Sequence, residues 1–332
     1  MGDKPKGTDV NQVSITSLSH IKGQPQVVEH LQLRLYAHFN ATATAGSTPP
    51  AFGPVILCGP PGTGKTMVAK AIHAELGNLT FVETNGVTLN KKPVLYSVLI
   101  NADAGTTILI DEAQGLNSEA QYVLLTALSA RVLRVPGVSS AYPYAIPLSA
   151  FTMVLATTHE YLLQEALRDR MRIHCRFDYY SVEDLAEIVR QRANALGWPY
   201  ESDEVLQIIA QRAKAVPRQA LHRNLQTCWE VARSRDHDVI AMDDVREAFR
   251  HLQIDELGLD ATDRRYLAAL ARHRCASLGA LSAKIGLPSL TVQRVIEPYL
   301  IREDLITKDK SSARIITDKG RRHVETTLCS LT

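Results

Sequence analysis

The sequence predicts an α/β unit built on a parallel sheet, then a small helical domain, then a C-terminal winged helix. Three observations predict this order. From Pro54 short apolar runs alternate with helical segments, as a parallel sheet with crossover helices requires. After Phe177 the strand signal stops and helical periodicity alone continues. From about Gly258 three helical segments precede a polar-tipped hairpin, the order of a winged helix. The boundaries drawn on this basis are 1–177, 178–252 and 253–332.

The elements follow in chain order. Residues 1–17 are polar and read as loosely ordered. In KGQPQVVEHLQLRLYAHFNA, Val27, Val28, Leu31, Leu33 and Leu35 fall largely along one side of a helix. TATAGSTPPAFG, rich in small residues, Gly and Pro, reads as a loop. The expected strands are VILC, LTFVE, TTILID and FTMVLAT. Four helices are expected in VEDLAEIVRQRANAL, SDEVLQIIAQRAK, RQALHRNLQTCWEVARSR and AMDDVREAFRHL, the first two opening on hydroxyl or acidic residues suited to a helix start. The third domain reads as helices in DRRYLAALARHR, LGALSAKIG and LTVQRVIEPYLIRE, then a hairpin in DLITKDKSSARIITDKG.

Composition narrows the class. The 332 residues are 45% hydrophobic and 22% charged, an ordinary balance for a globular protein able to bury a sizeable core. No run of 18 apolar residues suggests a membrane span, and the polar start lacks the apolar stretch of a signal peptide, so a cytoplasmic location is expected. Five scattered cysteines show no paired metal-ligand spacing and read as thiols of a reducing compartment. A net charge of +2 does not decide for or against nucleic acid, because a local basic face is hidden in the total.

Residues 59–66, GPPGTGKT, match the phosphate-loop pattern GxxxxGK[ST] between an expected strand and an expected helix. Within Gly59, Pro60, Pro61, Gly62, Thr63 and Gly64 the glycines would let backbone amides curl around the phosphates of a nucleotide. Lys65 would supply charge to the β and γ phosphates, and Thr66 a hydroxyl to Mg2+. TTILIDEAQ brings Asp111 to the end of a strand, where it can orient Mg2+, with Glu112 next to it to polarise the attacking water. Thr157 or Thr158, at the tip of MVLATT, can sense the γ-phosphate; Thr158 is taken as the candidate. Arg168 and Arg170, at the edge of the α/β unit, can reach a nucleotide held by a neighbouring subunit, and Arg218 can reach the γ-phosphate within its own chain. Each has a plainer alternative: a strand ending in solvent, β-branched packing, or arginines facing water.

Together these elements resemble the AAA+ ATPases and, more closely, the RuvB family of Holliday junction branch-migration motors. The resemblance runs from about residue 18 to 325 through SLSHIKGQPQVVEHL, LCGPPGTGKTMVAKAIHAELG, LRDRM, VPRQALHRNL and, most specifically, LGLDATDRRYLAAL, GLPSLTVQRVIEPYLIREDLI and TDKGRRH. It implies a hexameric ring that hydrolyses ATP to translocate duplex DNA at four-way junctions, with RuvA as partner. It places the phosphate loop on Gly59–Thr66, the magnesium and catalytic acids on Asp111 and Glu112, and the first sensor in Thr157–Thr158. It places the arginine finger on Arg170, with Arg168 the alternative, the second sensor on Arg218, and Ile21–Gly23 near the adenine. It also puts Arg314, Lys308 and Lys310 of the wing at the DNA backbone.

The chain departs from the family pattern at several points. Ala113, Gln114 and Gly115 stand where isoleucine, histidine and arginine are usual, Ala215 and Val216 precede the second sensor in place of glycine and threonine, and KDKSSARI replaces an arginine-rich wing. The stretch ALSARVLRVPGVSSAYPYAIPLS, where the family docks RuvA, is recast; Val132, Leu133, Val135, Val138, Tyr142 and Tyr144 are its candidate apolar contacts. Two rival functions remain open at this point: an AAA+ ATPase remodelling another target, and a nucleotide-gated DNA-binding protein without turnover.

Overall fold

The computed structural model describes residues 7–13, 15–45, 51–135, 144–273 and 275–329. It divides into two units: residues 1–197 with 216–218, and residues 198–215 with 219–332. Among the described residues no helix is long and apolar enough to cross a membrane.

In chain order, the first unit comprises α1 (Pro25–Ala45), β1 (Val55–Cys58), α2 (Lys65–Leu76), β2 (Thr80–Asn85), α3 (Gly86–Leu89), α4 (Lys92–Ile100), β3 (Thr106–Asp111) and α5 (Ser118–Ala130). It continues through β4 (Val132–Val135), β5 (Tyr144–Pro147), β6 (Thr152–Thr157), α6 (Glu165–Arg170), β7 (Ile173–Arg176) and α7 (Val182–Leu196). Five strands form one parallel sheet in the order β2-β3-β6-β1-β7. Because side chains alternate along a strand, both faces are covered. Leu57, Leu109, Val154 and Ala156 pack with α1 and α2 residues, whereas Ile56, Ile108, Ile110 and Leu155 pack with α4 and α5 residues. With every strand parallel, the ends of β1, β3 and β6 meet at one edge, where ligands of open α/β sheets bind.

The second unit begins with α8 (Asp203–Gln211), a wide π-helical turn at Gln219–Leu225, α9 (Gln226–Ser234) and α10 (Met242–Leu252). Trp198 stacks on Trp229 with ring centroids 4.9 Å apart. Then come α11 (Ala261–Ala271), β8 (Cys275–Ala276), α12 (Leu278–Ile285), α13 (Ser289–Thr291), a second π turn at Val292–Ile296, and α14 (Glu297–Arg302). Strands β9 (Ile306–Lys308) and β10 (Arg314–Ile316) complete a three-stranded antiparallel sheet, β8-β10-β9, and α15 (Asp318–Cys329) follows. Leu267, Leu270, Leu281, Ile296, Leu300 and Ile316 form the core of this winged-helix part.

Several expectations are corrected. β7 was not foreseen, the chain from Thr42 to Ala45 is helical rather than loop, and α15 continues past the expected hairpin. Within the expected loose N-terminus, Val10 is buried and its carbonyl accepts a bond from Arg192. The hairpin of β4 and β5 is present, with Val132 opposite Pro147 and Val135 opposite Tyr144; Val138 and Tyr142 lie outside the described residues.

Candidate active site

The phosphate loop takes a shape only glycine permits at its tightest points. Gly59 has φ 149°, and a Cβ there would come within 2.5 Å of the Phe177 carbonyl oxygen. Gly62 has φ 77°, and a Cβ would sit 2.8 Å from Val216 Cγ1 and 3.0 Å from Arg218 Cβ. The loop opens α2, whose free N-terminal amides favour an anion. Lys65 Nζ donates to the carbonyls of Gly59 (2.9 Å) and Pro60 (2.8 Å). Burial holds this ammonium below the usual lysine range, against the opposing pull of Asp111 and Glu112. Thr63 Oγ1 donates to the Pro60 carbonyl at 2.8 Å.

Two further segments lie around the loop. The Arg218 amide donates to the Gly62 carbonyl at 3.3 Å, which sets Arg218 beside the loop. Ile21 is half-buried, and Gly23, two residues on, lies against the ring of Tyr180. The Tyr180 hydroxyl donates to the Thr63 carbonyl at 2.8 Å.

At the end of β3, Asp111 Oδ2 accepts from Thr66 Oγ1 at 2.8 Å, and Asp111 Oδ1 accepts from the Glu112 amide at 2.8 Å. A hydroxyl and a carboxylate side by side are the oxygen donors a hard Mg2+ prefers. Among the described residues no cluster of three or more His, Cys, Asp or Glu could hold a metal. The hydrogen-bonded Thr66–Asp111 pair fits an ion that takes its remaining ligands from phosphate oxygens and water. Glu112 itself adopts φ 47°, a conformation uncommon for a residue with a Cβ and concentrated at functional sites.

Gln114 joins the ends of β3 and β6. Its Nε2 donates to Glu112 Oε2 and to Thr158 Oγ1 (3.2 Å), while its Oε1 accepts from Thr157 Oγ1 (2.7 Å). Thr157 is buried, and its hydroxyl is spent on Gln114 and on the His159 amide. Thr158 is half-buried and shares a 2.8 Å hydrogen bond with His159 Nδ1.

The expected edge arginines lie in the last turn of α6. Arg170 Nη2 donates to the Ser129 carbonyl at 3.0 Å, and Arg168 is half-buried with its Nε unpaired. The Arg131 guanidinium sits 5.1 Å over the Phe151 ring, and it is held below the usual arginine range by burial and by its neighbours Arg172 and Arg170. Several positive groups thus gather at the edge that follows α6.

Two family models match the chain: the Holliday junction DNA helicase RuvB P-loop domain over residues 14–177, and the RuvB C-terminal winged helix domain over residues 256–325. A point mutant of Thermotoga maritima RuvB superposes with TM-score 0.79 at 30% identity, covering 94% of this chain and 99% of that one. A second structure, the Thermotoga maritima RuvB Holliday junction branch migration motor, gives TM-score 0.76 at 30% identity, covering 93% and 97%. The chain belongs to the RuvB family.

The wing of the winged-helix part departs from the expectation. Arg314, expected at the DNA backbone, is only 6% exposed. Its Nε and Nη2 donate to Glu297 at 2.7 and 3.0 Å, and its Nη1 to the Ser312 carbonyl at 2.7 Å. Glu297 is fully buried, and an ionised carboxylate there demands cations. Tyr266 donates to it at 3.1 Å and Lys308 pairs with it at 3.0 Å. The correction is physical: Arg314 is spent inside the domain, Lys308 is partly spent, and Lys310 stands exposed.

Two residues of this candidate site escaped the sequence reading. Tyr180 lies just past the last sheet strand with nothing local to mark it. Gln114 did carry a signal, because it stands where the family usually has histidine.

Proposed function

We propose that this chain is an ATP-driven DNA motor that moves the branch point of four-way junctions, working as a ring of like subunits with a RuvA-type partner. The reading rests above all on one observation: the phosphate loop, the Thr66–Asp111 pair, Glu112 and the Thr157–Thr158 tip converge at one edge of the sheet.

The chemistry is in-line attack of water on the γ-phosphorus of ATP, forming a P–O bond to water and breaking the bond to the bridging oxygen, with ADP and inorganic phosphate as products. The Glu112 carboxylate orients and polarises the water. Lys65, drawn toward the loop, meets the β and γ phosphates, and the loop amides cradle them. Thr66 and Asp111 would hold Mg2+, which when bound neutralises phosphate charge. Thr158, the less buried of the two sensor candidates, faces the γ-phosphate while Thr157 braces it from behind. Arg170 of one subunit, or Arg168 as the alternative, enters the pocket of the next, and Arg218 meets the γ-phosphate within its own chain. Ile21 borders the adenine. DNA contact falls to Lys310, with Lys308 held back by its pairing with Glu297, through phosphate attraction that is independent of sequence and weakened by salt.

The test is to replace Glu112 by Gln. ATP binding should persist while turnover is lost, and unchanged hydrolysis would remove Glu112 from the reaction. The interior position of Arg314 favours one second reading, an AAA+ motor whose target is another DNA or protein assembly. Failure to move a four-way junction by a chain that hydrolyses ATP would select it.

A further inference from the structure

The geometry points to Gln114 as a positioning residue that fixes the Glu112 carboxylate and ties it to the γ-phosphate-sensing end of β6. The inference rests on the hydrolysis reading above and adds to it a residue outside the phosphate loop and the acidic pair.

A side-chain amide has one donor end and one acceptor end, and its orientation here is set by its neighbours. The Glu112 carboxylate can only accept, so the amide nitrogen must face it; the opposite end then accepts from Thr157 Oγ1 at 2.7 Å and lies 3.4 Å from the Thr158 amide. A flipped amide would set oxygen against oxygen at Glu112. Gln114 therefore links Glu112 to both threonines through one rigid planar group, across two neighbouring strand ends.

This arrangement answers a need that Glu112 creates. Its backbone is held at φ 47° and it starts the short turn at Ala113–Gly115, so the strand does not aim its side chain. A hydrogen bond to one carboxylate oxygen fixes the plane of the group and leaves the other oxygen for water. Because the same amide holds Thr157 and Thr158, a displacement of the β6 tip on nucleotide binding is carried to Glu112 without a change of charge. Of the ionisable groups nearby, Asp111 is bonded to Thr66, Lys65 to loop carbonyls and His159 to Thr158.

The experiment compares wild type with Gln114→Leu, Gln114→His and Glu112→Gln, each as the full chain, by steady-state ATP hydrolysis and by direct binding of a fluorescent ATP analogue. Leucine keeps the approximate bulk and removes both polar ends; imidazole restores one donor and one acceptor. Gln114→Leu should lower kcat about 10- to 100-fold, the scale of one charge-assisted hydrogen bond, with analogue affinity within about threefold of wild type. Gln114→His should recover at least about half of that loss on a logarithmic scale. Normal kcat in Gln114→Leu, or equal impairment of the leucine and histidine variants, would overturn the inference, as would a loss confined to nucleotide binding. Glu112→Gln separates the levels: if it is inactive while Gln114→Leu is normal, only the inference about Gln114 falls, and if it turns over normally the assigned role of Glu112 falls and the inference with it.

Discussion

Replacing Arg314 by Ala tests whether the wing's surviving arginine works for DNA or for the fold. Arg314 makes two bonds to a fully buried carboxylate, at 2.7 and 3.0 Å, and one to the Ser312 carbonyl. Removing one partner of a buried ion pair costs about 3–5 kcal/mol, because the remaining charge is left uncompensated. Lys308 and Tyr266 still reach Glu297, so the lower end, about 3 kcal/mol, is expected. For a domain of this size that corresponds to a fall of about 12–24 °C in the midpoint of the winged-helix transition. Burial alone would raise the Glu297 carboxyl, but the bonds from Arg314 and Lys308 override it and the net shift is downward. A depressed carboxylate stabilises the fold above its unfolded-state pKa and loses that contribution as pH falls through the folded value, so the wild-type transition should weaken in acid below about pH 4. The assay is urea and thermal unfolding of the full chain by far-UV circular dichroism from pH 7 down to pH 3, beside duplex-DNA affinity at a temperature where the variant is folded. Wild-type stability in Arg314→Ala together with a large loss of DNA affinity would refute the reasoning.

The remaining predictions concern the nucleotide pocket and the wing. Tyr180→Phe removes the donor to the buried Thr63 carbonyl, and KM for ATP should rise about 5- to 10-fold with kcat nearly unchanged, as steady-state kinetics would read. Mixing Arg170→Ala chains with Lys65→Ala chains should restore part of the hydrolysis that each lacks alone, since the first supplies intact pockets and the second intact arginines. No recovery on mixing would place the action of Arg170 within its own subunit. Lys310→Ser should weaken duplex binding similarly for unrelated sequences and lower the slope of log affinity against log salt by about 1, measured by fluorescence anisotropy.

Much of the architecture was legible because its signals are local. Three of the four foreseen strands, β1, β3 and β6, are almost wholly buried, the mark of strands covered on both faces, and α7 lies where its periodicity and Ser181 cap place it. β7 escaped because Ile173–Arg176 is four residues of simple alternation, Ile173 and Cys175 inward and His174 and Arg176 outward, too short to stand out after an arginine-rich helix. α15 escaped because its sequence is strongly polar and begins where the hairpin was expected to close. The two π turns leave no mark in side-chain spacing. At the site, the loop and acidic pair were legible as motifs that carry their own chemistry. Arg314 was misplaced because arginine normally faces water, and its partner Glu297 lies on a separate helix that only the folded domain brings near.

The most direct test follows a synthetic four-way junction incubated with this chain, a RuvA-type protein and ATP, scoring conversion to the migrated duplex products. Wild type should move the branch point only when ATP is supplied, and Glu112→Gln should bind the junction yet leave it in place. Migration without ATP, or equal migration by the Glu112→Gln chain, would contradict the claim that hydrolysis at this sheet edge drives the DNA.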